Sequence, residues 1–216
     1  ELETEGPEKA SEVLAELPPA NLEDPDLAVR AGNLLLELER GSDSERYFKM
    51  AIESDPECAD AYYGLAFCAD LGGREADRTK HFLKVRQLDL AAPRSQFEIT
   101  LERLSQIADE EMAALPEQAQ KLIGNVPILI EDYPSEALVK DGVDPRVLGL
   151  FVGPALTEQS MGGPPALNTI HLFHRNLEME ADSDDAVAEE VRITLLHELG
   201  HYFGLEEDEL EEMGLN

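Results

Sequence analysis

The sequence predicts an α+β architecture. All-α helical hairpins come first, followed by a compact domain of a small sheet and one long helix carrying paired histidines. Three observations predict it. Apolar and small residues recur at an offset of 34 positions between residues 25 and 92. The texture changes at Pro93 to short β-rich runs bounded by glycine and proline. Near the C-terminus, His197-Glu198-Leu199-Gly200-His201 lies in a pattern of helical period.

Residues 1–24, with Pro7, Pro18 and Pro19, read as a lead-in segment with at most one helix, around Pro7 to Leu17. In residues 25–92, Ala31 aligns with Leu65, Phe48 with Phe82, Ala51 with Val85 and Asp55 with Asp89 at the 34-residue offset. Gly32 aligns with Ala66, both small, where two helices must approach closely. The two aspartates are expected to close similar helices. Paired helices at this period resemble tetratricopeptide repeats, with Tyr62, Leu65, Gly73, Phe82 and Asp89 the clearest match. Ala28 and Ser44 depart from that pattern, where an aromatic and an alanine are usual. The resemblance implies a surface on residues 25–92 that docks a protein partner. An ordinary helical array with a packing role is the other reading.

Residues 93–216 form the second domain. Phe97, Leu101, Leu104, Ile107 and Met112 make a helical stripe over 95–114, and Pro116 allows a short helix to about Ile123. Val126 to Glu131, Leu148 to Val152 and Thr169 to Phe173 are apolar runs of strand length. Gly153 to Asn168 is a loop by composition. An edge strand in such a sheet can pair with an extended peptide.

The last long helix is expected to start at the N-cap cluster Ser183-Asp184-Asp185. Val187, Val191, Leu195, Leu199 and Tyr202 should face the core, while Glu190, Thr194, His197 and His201 fall on a more polar stripe at the edge of a cleft. Histidines four apart on a helix lie one turn above each other and can hold one Zn²⁺. Glu198 between them then stands where it can take a proton from water that zinc acidifies to a pKa of roughly 7. Gly204 is placed as the residue past the helix end, where positive φ costs glycine nothing. The chain can turn back there and bring an acid to the same metal. Glu207 is favoured on spacing, with Asp208 in reserve. Two imidazoles and one carboxylate leave a fourth position for water.

The chain has 216 residues, 43% of them hydrophobic, and a formal charge of −30. Residues 1–110 carry 25 acids and 12 bases, and residues 111–216 carry 22 acids and 5 bases, so the acidity is spread along the chain. Nucleic acid and anionic membranes, which need clustered Lys and Arg, are not expected partners. No apolar stretch of about 18 residues is present, so no membrane span is expected. Cys58 and Cys68 do not make a disulfide framework and read as small packing residues. The residues at the start of the chain are acidic and lack the apolar core of a signal peptide, and cytoplasmic is the default expectation. His171 and His174 are read as lying in one strand with opposite facing, so not as joint ligands. Gly162-Gly163-Pro164-Pro165 has no Lys and no helix start after it, so it is not a phosphate loop.

Residues 95–216 resemble the minimal zincins, small bacterial metallopeptidases similar to the metzincins but lacking most of their insertions. The resemblance is carried by Leu115-Pro116, Val126 to Asp132, Leu148-Gly149-Leu150-Phe151, Thr169 to Phe173, Glu189-Glu190-Val191-Arg192 and the run His197 to Gly204. It implies zinc held at His197, His201 and Glu207 with Glu198 as base. Glu207 stands where the family usually shows aspartate, and Met213 is not assigned as a methionine turn. The function expected is zinc-dependent hydrolysis of a peptide or protein substrate. The alternative is a repeat-type binding protein whose zinc site is structural or inactive.

Overall fold

The computed structural model describes residues 24–38, 40–94, 97–123, 126–154 and 168–212. The expected lead-in helix and the Gly153–Asn168 loop lie largely or wholly outside these residues. The chain divides into two compact units: one runs to Ala92 and takes in Ser135–Pro145, and the other comprises Pro93–Pro134 and the residues from Arg146 onward.

The first unit is built from α1 (Pro25–Glu37), α2 (Gly41–Ser54), α3 (Ala59–Leu71) and α4 (Glu75–Ala91). Asp24 caps α1, its carboxylate accepting from the Asp26 N–H at 3.0 Å, with Pro25 pre-set for the first turn. The starts of α1 and α3, and of α2 and α4, are each 34 residues apart, as the aligned apolar positions require. Phe48 fills the centre of this unit and is fully buried. A Cβ at Gly32 would lie 2.6 Å from the Phe48 ring, and one at Gly64 would overlap it, so the ring is held between two glycine faces. Ser44 is also buried; its hydroxyl donates to the Gly32 carbonyl at 2.8 Å. That bond accounts for a polar residue where the repeat pattern favours alanine.

One expectation for this unit changes. Asp55 does follow the end of α2, but Asp89 is buried inside α4, which continues to Ala91. The unit also takes in α7 (Glu136–Lys140), a short helix capped by the Ser135 hydroxyl, which accepts from the Leu138 N–H at 3.3 Å. It packs with the helical hairpins: Val139 is fully buried in a cluster with Ala66 and Phe82.

The second unit holds α5 (Leu101–Ala114), α6 (Glu117–Ile123), β1 (Ile128–Glu131), β2 (Gly149–Val152), β3 (Thr169–Phe173), α8 (His174–Glu180), α9 (Asp184–Phe203) and α10 (Glu207–Glu212). The helix expected from residue 95 starts at Leu101, because the Thr100 hydroxyl accepts from the Arg103 N–H at 3.2 Å and caps it there. The sheet order is β1-β3-β2, with β3 central, parallel to β1 and antiparallel to β2. Ile170 and Leu172 of β3 pack with Leu104 and Ile107 of α5 and with Val187, Val191, Leu195, Leu199 and Tyr202 of α9. Burial of such side chains contributes roughly 1.5–3 kcal/mol each. No helix among the described residues is long and apolar enough to cross a membrane.

His174 corrects the strand reading of its segment. It opens α8, while His171 remains in β3. The two therefore have separate partners: His171 meets Glu131 across the β1–β3 pair at 2.7 Å, and His174 is buried against the Ile99 carbonyl at 2.7 Å. Buried Glu178, one turn on, accepts from the Ile99 N–H at 2.9 Å and from Arg94 at 2.7 Å. These bonds fasten the segment leading into α5 onto α8.

Candidate metal centre and catalytic site

The site is built on α9. Ser183 caps its start, accepting from the Ala186 N–H at 3.3 Å, and Asp184 and Asp185 occupy the positive end of the helix dipole. The five core positions read from the sequence are all buried. Gly204 ends the helix at φ 87°, with its N–H bonded to the His201 carbonyl at 3.0 Å and the Leu205 N–H bonded to the Gly200 carbonyl at 3.0 Å. This pair of bonds is the Schellman arrangement that a left-handed residue makes possible.

The chain then turns back. Leu210 of α10 is fully buried and seated on Gly200, where a Cβ would overlap its Cδ2 methyl. A glycine in the histidine motif thus lets the last helix fold against it.

The imidazoles of His197 and His201 converge. Their Nε2 atoms are 3.0 Å apart and the rings stand at 81° to each other. Two nitrogens bound to one tetrahedral zinc at 2.0–2.1 Å would be about 3.3 Å apart. The pair is therefore near the spacing of two ligands of one ion. The Nδ1 of His201 lies 3.3 Å from the Leu205 carbonyl. Donation there puts the proton on Nδ1 and leaves Nε2 as the lone-pair nitrogen, the arrangement metal-binding histidines adopt. The donor set fits a borderline cation such as Zn²⁺. Among the described residues no third His, Cys, Asp or Glu joins the two to complete a group of three. Glu207 opens α10, its side chain outside the described residues, and Asp208 is exposed on the same helix.

Glu198 is buried, at 7% exposure, and its Oε2 accepts from the backbone N–H of Phe151 at 2.6 Å. The strand register explains how a β2 amide is available. The Phe173 N–H bonds to the Leu148 carbonyl, so alternate residues of β2 turn toward β3, and Phe151, opposite Ile170, turns its N–H away from it. The Phe151 ring packs against Tyr202 of α9, centroids 5.6 Å apart. Asn176 of α8 donates to the Val147 carbonyl at 2.7 Å and fixes the chain entering β2.

Sequence reasoning brought His197, Glu198 and His201 forward, and they lie together on α9 with Glu198 turned to the strand. It put Thr194 on the polar stripe at the cleft edge, where the structure buries it, and it gave no role to Gly149, Asn176 or the Phe151 amide. A glycine inside the apolar run Leu148 to Val152 was the available signal, since glycine in a strand often marks close backbone approach.

Residues 123–215 match a family model described as zincin-like metallopeptidase. That span includes all three strands, α9 and α10. No curated protein matches the chain.

Proposed function

We infer that the protein is a zinc-dependent peptidase, with His197 and His201 as metal ligands, Glu207 as the third (Asp208 in reserve) and Glu198 as general base. The observation that carries this reading is the 3.0 Å convergence of the two Nε2 atoms beside a buried carboxylate. The family match over residues 123–215 supports the same class. Zn²⁺ bound at this pair supplies Lewis-acid polarisation of a scissile carbonyl and acidifies the attacking water.

The chain's own residues do the rest. Glu198 takes the proton of the attacking water and hands it to the leaving amine. Burial of Glu198 keeps bulk water from competing for that proton. An edge strand of the sheet offers backbone groups against which an extended peptide or protein segment can be laid. Helices α1–α4, with their 34-residue offset, are read as repeat-like and as the docking surface for a protein partner. Both cysteines are free thiols, in keeping with a reducing, cytoplasmic setting. A binding role without chemistry would give a buried carboxylate, next in sequence to two converging imidazoles, no task, and this favours the peptidase reading.

Metal analysis tests it. Elemental analysis of the purified chain should find about one zinc per chain, lost in His201→Ala. No zinc in the parent after loading would remove the reading.

A further inference from the structure

Glu198 is positioned from two sides, by its own helix and by β2, and the gap between these elements is unusually narrow at one point. Gly149 and Phe151 lie opposite Leu172 and Ile170, so both face α9 on the same side of the sheet. A Cβ on Gly149 would overlap the Thr194 Cγ2 methyl, come within 3.1 Å of the His171 carbonyl oxygen and touch Glu198 Cγ at 3.5 Å. Thr194 is buried one turn before Glu198, and a β-branched side chain on a helix has few rotamers with which to move aside. The strand can therefore approach the helix this closely only without a side chain at position 149.

We propose that Gly149 and Thr194 act as a spacer that sets the position of Glu198, the bare backbone of residue 149 letting β2 close on α9 until the Phe151 N–H reaches the carboxylate. The functional meaning rests on the peptidase reading above. Gly149 is in these terms a positioning residue, with no contact to the reacting atoms. The bond it permits, 2.6 Å to the carboxyl group, fixes one oxygen of the base relative to β2. A methyl at position 149 pushes strand and helix apart and releases that bond, leaving His197 and His201 on their own helix undisturbed. Deleting the opposing methyl, with Thr194→Ser, removes the overlap and leaves the 3.1 Å approach to the His171 carbonyl oxygen, which a shift of a few tenths of an ångström relieves.

The experiment reads the bond directly. The chain has seven phenylalanines, so labelling with ¹⁵N-phenylalanine yields a small set of amide signals, and Phe151→Leu identifies the one required. In the full chain the Phe151 amide proton should lie downfield and move upfield in Glu198→Ala. It should move upfield likewise in Gly149→Ala and return in Gly149→Ala/Thr194→Ser. Zinc content should stay at the parent level in both Gly149 variants. The kcat of Gly149→Ala should fall about 10²-fold, the effect of roughly 1 Å of misplacement, with KM little changed and the double variant recovering. Should Gly149→Ala fail to fold, Thr194→Leu adds bulk from the helix side and must produce the same upfield movement. A Phe151 amide unmoved in Gly149→Ala, or unrestored in the folded double variant, overturns the spacer. If the amide responds as expected while no form cleaves peptide, the spacer stands and the peptidase reading falls.

Discussion

The Tyr63 hydroxyl donates to Asp144 at 2.7 Å, joining residues 81 positions apart in the first unit. Tyr63 lies on α3, and Asp144 lies in the segment that the chain sends out between β1 and β2. The same segment buries Val139 against Ala66 and Phe82, so the helical hairpins are completed by residues that lie between β1 and β2 in the sequence. Tyr63→Phe removes a hydrogen bond to a carboxylate and should lower stability by about 1.5–3 kcal/mol. Denaturant unfolding followed by circular dichroism measures it. A Val139→Asp variant, which buries a charge in the same cluster, should cost more.

Phe48 supplies a packing prediction. Its ring occupies the space that side chains at Gly32 and Gly64 would need. Phe48→Ala should destabilise by about 3–5 kcal/mol through the cavity left behind. Gly64→Ala should also destabilise, by about 1–3 kcal/mol, because the added methyl meets an aromatic ring with nowhere to go. The double variant Phe48→Leu/Gly64→Ala should lose less stability than Phe48→Leu and Gly64→Ala summed, read from denaturant unfolding.

The end of the histidine helix is sensitive to backbone chemistry. Gly204 sits at φ 87°, where any other residue costs roughly 1–2 kcal/mol. Gly204→Ala should lower stability by about that amount. It should also weaken zinc binding, because the turn it sets places the Leu205 carbonyl beside His201 Nδ1. A zinc titration with a colorimetric competitor compares the two forms.

Burial pushes the Cys58 and Cys68 thiols above the ordinary cysteine value. Cys68 is the more enclosed, 4% exposed, with its thiol 3.6 Å from the Ser44 hydroxyl. The folded state therefore holds these protons more tightly than the unfolded chain. That contribution to stability is fully present below the unfolded thiol pKa of about 8.5 and is lost as pH rises through the folded value. At pH 8, iodoacetamide should label Cys68 far more slowly in the folded protein than in urea, and Cys58 at an intermediate rate. Equal rates in both states would contradict the packing around Cys68.

Much of this was legible in the sequence, for identifiable reasons. The period of Val187, Val191, Leu195, Leu199 and Tyr202 fixed both the helix and its buried face, because one apolar stripe admits one orientation. Gly204 was legible because its conformation is a property of one residue. The three strands were legible as short apolar runs between glycine and proline. What escaped was set by distant partners. The five residues of α7 carry a cap at Ser135, but only Ala66 and Phe82 decide where Val139 goes. His174 begins a helix because Glu178 and Ile99 hold it there, and no local pattern says so. The tie between Glu198 and Phe151 depends on a register 47 positions away. A third ligand at Glu207 rested on spacing and family resemblance, and its side chain lies outside the described residues.

The measurement closest to the central claim compares the parent with Glu198→Gln, zinc-loaded, on a peptide or protein substrate that the parent cleaves. Glutamine keeps the shape and removes the base. Zinc content should stay at the parent level while kcat falls by about 10²–10⁴-fold, the contribution of a general base. A Glu198→Gln protein that binds zinc and cleaves as fast as the parent would contradict the account.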